Sequence, residues 1–270
     1  MSRILTRAAL ICLSALIGVY LLLPVLMIIP MSFGESSFLT FPPQGFSLEW
    51  YQALVDDPTW LRSALSSFSV ALGSALLAVV LGTLASLALV RGRIPFRGAV
   101  LGILLAPLIV PYVIVGLAIY IAFLRVGLTE SPIGFILVHT CLGVPYVMIN
   151  VVSGLSAVDR RLEMASLNLG ASPLETFGRI TLPAIAPNMM AGGLFAFITS
   201  WDEVVVAIFL SGPDMTTLPV KMWSGIRVQI DPSLAAVSTL VLFVIIATFV
   251  LSGLLRFVQS RSSRADRAGV

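Results

Sequence analysis

The sequence predicts an all-α, polytopic membrane protein with six transmembrane helices. Of its 270 residues, 58% are hydrophobic and only 11% are charged, whereas a soluble domain carries about 25% charged residues. Six apolar runs are each long enough to cross the roughly 30 Å hydrocarbon layer of a bilayer as helices. Arginine is concentrated in alternate loops, which is typical of a chain that crosses the membrane repeatedly. We therefore expect one transmembrane domain over residues 1–270.

The six predicted spans are separated by polar or proline-containing segments. They are Ala8–Pro30, Ser63–Val90, Ala99–Phe123, Pro132–Leu155, Pro187–Leu210 and Ser233–Phe257. The first run follows Arg3 and Arg7, but its apolar stretch is too long for a signal peptide and it has no convincing cleavage site, so we expect a retained anchor. Pro107, Pro111 and Pro145 are expected to kink the third and fourth spans. For Pro107 and Pro111, packing is a more common role than opening a gate.

Basic residues in the loops predict the orientation. Of the 16 lysines and arginines, twelve lie on the side that holds both termini and residues 156–186, and four lie on the other side. Positively charged loops stay in the cytoplasm, so both termini and the segment 156–186 are predicted to be cytoplasmic. The net charge of +3 follows from this topology. It does not indicate nucleic-acid binding, because the basic residues are split among separate loops.

Several kinds of chemistry are excluded by residue counts. Lys221 is the only lysine and has no glycine-rich loop before it, so the chain cannot form a phosphate-binding P-loop. If the protein uses ATP, a partner must bind and hydrolyse it. Cys12 and Cys141 lie in apolar runs and are expected to be small buried hydrophobes. With the single His139 they form neither a metal site nor a credible catalytic pair, so the chain is predicted to have no catalytic residues, no metal and no cofactor.

The segment 156–186 is predicted to form two short helices joined by a tight turn. Leu162, Ala165, Ser166 and Leu169 recur at helical spacing and share one face of the first helix. Gly170 follows them, at the position where a helix commonly ends in a left-handed residue.

The second short helix has its own start signal. Ser172 and Glu175 are spaced as a capping box, with Pro173 at the first helical position. The helix is expected to run to about Ile180, because Pro183 and Pro187 should prevent it from merging with the fifth span.

The same segment resembles the EAA loop of permease subunits of ATP-binding-cassette (ABC) importers. The residues that fall at the spacing of that motif are Glu163, Ala165, Gly170, Ile180, Leu182 and Pro183. Met164 departs from it, since the family prefers alanine there. Amphipathic spacing alone would favour an ordinary loop lying on the membrane surface.

This resemblance implies a type I permease fold and a set of partners. A dimeric ABC ATPase would dock on the EAA loop from the cytoplasm and would be the subunit that uses ATP and Mg. A sister permease would complete the translocation path, and a periplasmic or lipid-tethered solute-binding protein would deliver the solute. The chain itself would be a multi-pass, non-enzymatic subunit of a bacterial cytoplasmic (inner) membrane, surrounded by lipid.

Trp201, Asp202 and Glu203 are the clearest polar interruption within a span, and intramembrane charge is a functional candidate by default. Two carboxylates beside an indole suit a cationic solute, since a cation–π contact contributes about 0.5–2 kcal/mol. The alternative is that these carboxylates pair with arginine or lysine on another helix or subunit. His139 and Asn150 in the fourth span are expected to form hydrogen bonds between helices.

Three further segments resemble permeases of the spermidine/putrescine-type importers. They are Phe41–Tyr51, Trp201–Pro213 and Thr217–Lys221. The resemblance implies a polyamine as solute, although similar permeases carry opines, amino-acid derivatives and other small solutes. The first and last segments lie in outer loops, where their aromatic side chains suit either the membrane interface or a docking surface.

Two other classes of protein compete with an importer. An ion-coupled secondary transporter would predict charge on several spans and often a repeated helix arrangement, and we see neither. A membrane enzyme would need a nucleophile, base or metal cluster, which the sequence does not offer.

Overall fold

The computed structural model describes residues 2–92, 94–228 and 232–247. All regular secondary structure in these ranges is helical, as predicted. The helices are α1 (Ser2–Met31), α2 (Glu49–Asp56), α3 (Pro58–Arg91), α4 (Arg97–Leu105), α5 (Tyr112–Val126), α6 (Pro132–Ala157), α7 (Arg160–Asn168), α8 (Pro173–Thr176), α9 (Leu182–Trp201), α10 (Val205–Leu210), α11 (Leu218–Val228) and α12 (Ser233–Ala247). A 3-10 turn covers Ala106–Leu108 and a π-helical segment covers Phe177–Thr181.

Within the described ranges, four helices are long and apolar enough to cross a membrane, or five if one bent pair counts as a span. The four are Ala9–Met31, Pro58–Arg91, Pro132–Ala157 and Pro173–Trp201. They agree with the first, second, fourth and fifth predicted spans in place, though not in all their ends. Only the first part of the predicted sixth span is seen, as α12, because residues 248–257 lie outside the described residues.

The predicted third span is not one continuous helix. Its two arms, Arg97–Leu108 and Tyr112–Val126, meet at 98°. Pro107 lies in the 3-10 turn and Pro111 is the N-cap of α5. A proline lacks a backbone N–H and its ring clashes with the preceding turn, so two of them four residues apart end one helix and start the next. The kink expected at these prolines is therefore a complete break.

The predicted separation between the second cytoplasmic helix and the fifth span is wrong. The chain is helical without interruption from Pro173 to Trp201 and passes through both Pro183 and Pro187. The π-helical segment just ahead of Pro183 explains the continuity, because its wider i→i+5 turn shifts the hydrogen-bond register before the missing N–H. The fourth span likewise continues through Pro145.

The fifth span also ends earlier than predicted. The helix α9 stops at Trp201, three residues follow, and the six-residue α10 then reaches Leu210. The polar group Asp202–Glu203 therefore lies at a break between two helices and not in the middle of one.

The residues Thr59–Trp223 form one compact unit, whose core lies between α3, α6 and α9. Val147, Ala78 and Ala196 belong to this core and are at most 1% exposed. At Gly192, a Cβ would lie 2.7 Å from the Cα of Val147. Only glycine permits so close an approach of two helix backbones, and small residues are typical of helix contacts in membranes.

The described residues before Thr59 and after Trp223 belong to a second compact unit. In this unit, residues 32–51 are held together by local contacts of aromatic side chains. Tyr51 and Ser32 share a hydrogen bond of 2.7 Å between their hydroxyl oxygens, and the indole of Trp50 donates to the carbonyl of Gly34 (2.9 Å). The ring of Phe33 contacts that of Tyr51 at 5.1 Å. The two hydrogen bonds satisfy the polar ends of the half-buried Trp50 and Tyr51, as expected for such side chains.

Both cysteines are exposed on the single chain, so the prediction that they are buried is wrong. Cys12 lies on α1, whose most apolar stretch has no buried residue, and Cys141 lies on α6. Apolar positions on a span need not face the chain's own core, because lipid or another subunit can cover them.

Candidate functional site

The segment 160–176, which we call the elbow, contains the two short helices predicted there. The N-cap of α7 is Asp159, whose carboxylate accepts the backbone N–H of Arg161 (2.9 Å). After the C-cap Leu169, the chain turns at Gly170, which has φ +90°. The N–H of Gly170 donates to Leu167 (3.0 Å) and that of Ala171 donates to Ser166 (3.2 Å). This is the Schellman pattern, and it confirms the predicted role of Gly170 as the residue that turns the chain.

The second half of the elbow begins with the predicted capping box. The Ser172 hydroxyl oxygen accepts the N–H of Glu175 (3.3 Å), and the Glu175 carboxylate accepts the N–H of Ser172 (2.9 Å). The hydrogen bonds from Ser172, the backbone one first, lower the pKa of Glu175 below its ordinary value. The two halves of the elbow are joined by a hydrogen bond of 2.9 Å between the hydroxyls of Ser166 and Thr176.

The elbow carries five apolar side chains that are largely exposed in the described structure. They are Leu162 (56% exposed), Met164 (49%), Leu167 (44%), Leu169 (89%) and Leu174 (79%). Ala165 and Gly170 are exposed among them and add no bulk. Exposed apolar residues gathered on one element, rimmed here by Arg161 and Arg179, are typical of a surface that binds protein or membrane.

The other motif residues follow the elbow or lie beneath it. Ile180 and Leu182 are half-buried and Pro183 is exposed. Glu163 is turned toward the protein, where its carboxylate meets Arg91 at the end of α3 (Nε–Oε2 3.1 Å). Thr181, the residue between Ile180 and Leu182, donates its hydroxyl to Glu163 (2.9 Å). Sequence reasoning counted Arg91 only as a topological charge and left out Thr181. Thr181 stands inside the motif itself and could have drawn attention to a partner for Glu163.

The second candidate site is the break after α9, where Trp201 and Asp202 face outward to different degrees. Trp201 is half-buried and its ring stacks on Phe197, with centroids 6.1 Å apart and planes 13° apart. Phe197 in turn meets the edge of Phe68 on α3 (6.0 Å, 71°). Asp202 is exposed and is the residue that follows Trp201. A carboxylate and an aromatic ring face are both groups that attract an organic cation.

Glu203 lies in a different environment from its neighbour. It is 5% exposed. Its Oε1 accepts the N–H of Val206 (2.7 Å) and its Oε2 accepts that of Ala207 (2.8 Å). These are N–H groups of the first turn of α10, which have no partner within the helix. The structure thus gives Glu203 a local role in starting α10, and it separates the two carboxylates that the sequence places side by side.

His139 connects α6 to this break. Its Nδ1 and the Ser200 hydroxyl are 2.7 Å apart, which confirms the predicted hydrogen bond between helices. Its Nε2 is buried, has no hydrogen-bond partner among the residues that the structure describes, and lies 3.9 Å from Oε2 of Glu203. Asn150 behaves otherwise than predicted, since its side chain donates to the carbonyl of Tyr146 in its own helix (2.8 Å). The described residues contain no cluster of three His, Cys, Asp or Glu side chains that could hold a metal ion.

Comparison with known proteins places the chain among membrane transport components. Residues 78–264 match the family model for "Binding-protein-dependent transport system inner membrane component". The putrescine transport system permease protein PotI of Escherichia coli (strain K12) is 35% identical over 230 residues, covering 83% of this chain and 82% of that protein. The spermidine/putrescine transport system permease protein PotC of Haemophilus influenzae is 31% identical over 237 residues, covering 87% and 91%. PotC of Escherichia coli (strain K12) is 30% identical over 247 residues, covering 92% and 93%.

Among solved structures, the fold is similar to a chain of a bacterial ABC transporter involved in the import of the acidic polysaccharide alginate. The TM-score is 0.71, with 94% of this chain and 96% of that chain covered, at 15% sequence identity. At this identity the likeness concerns the fold alone.

Proposed function

This chain belongs to the family of binding-protein-dependent transport system inner membrane components, and on that premise we propose that it is a permease subunit of an ATP-driven importer for putrescine, spermidine or a similar small organic cation. With a sister permease it forms the translocation path. A dimeric ATPase supplies the energy from ATP and Mg at the cytoplasmic face. A solute-binding protein delivers the cation from outside.

The observation that carries the proposal is the elbow. It presents five exposed apolar side chains on a rigid, doubly capped frame, next to Ala165 and Gly170, which permit a partner to approach closely. A membrane surface could also cover such side chains. A protein cleft is favoured because Gly170, Ile180, Leu182 and Pro183 fall at the EAA spacing. Because the elbow continues directly into the fifth span, a force on it moves that span.

The solute is assigned from the break after α9. Asp202 is exposed and directly follows Trp201 in the chain, and the relatives named above are permeases of putrescine and of spermidine/putrescine systems. Asp202 would pair with an ammonium group and Trp201 would contact it through its ring face. Glu203 supports this pair by fixing the start of α10. The cytoplasmic position of both termini and the elbow rests on the arginine distribution.

The test is a reconstituted complex. The chain is co-expressed with its genomic neighbours, purified, and placed in lipid vesicles. ATP hydrolysis is then measured with binding protein that is empty or loaded with putrescine or spermidine. Stimulation by either polyamine supports both class and solute. A stable complex indifferent to polyamines retains the importer and removes the solute assignment. Failure to recover any ATPase partner contradicts the docking role of the elbow and favours an ion-coupled transporter.

A further inference from the structure

Arg91 is the last residue of α3, and its guanidinium contacts two other segments. Nη2 lies within hydrogen-bond distance of the carbonyl oxygens of Leu155 (3.3 Å) and Val158 (3.4 Å) at the end of α6. It also donates to Oε1 of Glu163 on α7 (3.2 Å), while Nε lies 3.1 Å from Oε2. The last carbonyls of a helix have no partner within it and carry partial negative charge. Arg91 therefore caps α6 and holds α7 with one side chain.

In this arrangement each carboxylate oxygen of Glu163 has at least one partner. Both of its oxygens meet Arg91, and Oε1 also accepts the hydroxyl of Thr181 from the π-helical segment. The side chains of Arg91 and Glu163 are only 21% and 14% exposed. A charged pair so far withdrawn from water is screened less by salt than a surface pair, and five contacts rather than one hold its two side chains in place.

We propose that Arg91, Glu163 and Thr181 form a clamp that makes the ends of α3, α6, α7 and α9 move together. The clamp rests on the proposed function, because the load it transmits is the displacement of the elbow by a docked ATPase. In this arrangement Glu163 holds the elbow to the spans, and the apolar side chains of the elbow make contact with the ATPase. Arg91 is then a positioning residue, since it touches neither ATP nor the solute.

The mechanical consequence is specific. The elbow continues covalently into the fifth span, and the clamp ties α7 directly to the end of α3 and to the end of α6. Without the clamp, the ATPase would still bind the elbow and hydrolyse ATP, but movement would reach α3 and α6 only indirectly, through their packing against the fifth span. The expected defect is therefore a loss of coupling, measured as more ATP hydrolysed per solute transported, with docking preserved.

The experiment uses the complete complex in vesicles. The variants are Arg91→Gln, Glu163→Gln and both together, and Arg97→Gln is the matched control because Arg97 is an exposed arginine of the same cytoplasmic loop. Each variant of Arg91 or Glu163 alone should raise the ratio of ATP hydrolysed to solute transported by about fivefold, and the double variant should raise it by the same factor. The two single increases should not multiply in the double variant, because residues in direct contact act non-additively. Arg97→Gln should match the unaltered chain.

Docking is measured in parallel, as the amount of ATPase that co-purifies. It should stay unchanged in all variants. An unchanged ratio in Arg91→Gln, or a double variant that multiplies the two single effects, overturns the clamp. Loss of ATPase binding in Glu163→Gln but not in Arg91→Gln also overturns it, since Glu163 would then be a contact of the ATPase.

Thr181→Val keeps the test decisive if the arginine variants assemble poorly. This change removes one hydrogen bond at nearly constant volume, and the ratio should rise by about twofold. No rise in Thr181→Val overturns the clamp. An unaltered chain that recruits no ATPase contradicts the proposed function instead, so the two failures are distinguishable.

Discussion

Replacing Gly170 by alanine tests the backbone on which the elbow is built. Gly170 has φ +90°, and an added Cβ would meet no atom within 4 Å. The change therefore adds no steric contact and only forces an L-residue into a left-handed conformation, which costs roughly 1–2 kcal/mol. That free energy lowers the population of the native turn by a factor of about 5–30.

Gly178 provides a matched control. A Cβ there also meets nothing within 4 Å, but Gly178 lies in the π-helical segment and has no positive φ. Gly178→Ala makes the same chemical change in the same open space. It should leave the elbow as stable as before or slightly more stable, because alanine has less conformational freedom to lose.

The assay is amide hydrogen exchange of the peptide that contains Ala171, whose N–H closes the Schellman motif on Ser166. The Ala171 amide should exchange about 5–30 times faster in Gly170→Ala and at an unchanged rate in Gly178→Ala. Equal acceleration in both variants would show that added volume matters and not φ. No acceleration in Gly170→Ala would show that the turn does not need its left-handed residue.

Three further predictions follow from the two sites and the core. Glu203→Gln should lower the free energy of unfolding by about 1–3 kcal/mol, because an amide leaves one N–H of α10 without an acceptor. Asp202→Asn should change the free energy of unfolding by less than about 0.5 kcal/mol and should reduce polyamine uptake. Equal losses of stability in the two variants would contradict the separation of the two carboxylates. Gly192→Ala should destabilise by about 1–3 kcal/mol through overpacking, and an unchanged melting temperature in detergent would show that the helices separate freely. The pKa of Glu175 is lowered in the folded elbow, so its ionised carboxylate stabilises the elbow at pH values above the unfolded pKa of about 4.3. This stabilisation is lost as the pH falls through the lower pKa of the folded state. Amide exchange of residues 172–176, corrected for intrinsic rates, should therefore rise on acidification in the unaltered chain and change less in Ser172→Ala.

Local signals were sufficient to predict the elbow. Gly170, Ser172 and Glu175 act through contacts within four residues of themselves, so their spacing determines the result. The long apolar runs were equally reliable, since a bilayer admits few alternatives to a helix. The ends of the spans were less predictable. At Pro107 and Pro111 the expected kink became a break of 98°, whereas at Pro183 and Pro187 the expected break did not occur. The difference depends on a π-helical turn that no sequence pattern had indicated.

The partners of Glu163 and Glu203 could not be read from the sequence. Glu163 and Arg91 are 72 positions apart, and only the packing of α3 beside α6 brings them together. Glu203 lies next to Asp202, yet a helix end between Trp201 and Val205 turns one carboxylate inward and leaves the other outside. A sequence shows that charge is present in a span, while the side that it faces depends on where the helix stops.

The continuity of the fifth span joins the two candidate sites. The helix from Pro173 to Trp201 has 29 residues, which at 1.5 Å per residue is about 43 Å, longer than the roughly 30 Å hydrocarbon layer. The capping box lies at one end and the Trp201–Asp202 pair at the other, with no loop between them. A displacement of the elbow therefore reaches the proposed cation site through a single helix. The π-helical turn near Pro183 is the one place along it where the hydrogen-bond register departs from α-helical, and Thr181 holds that turn to Glu163 (2.9 Å). Glu163, which holds the elbow to α3 in the proposed clamp, thus also holds this π-helical turn of the helix that connects the two sites.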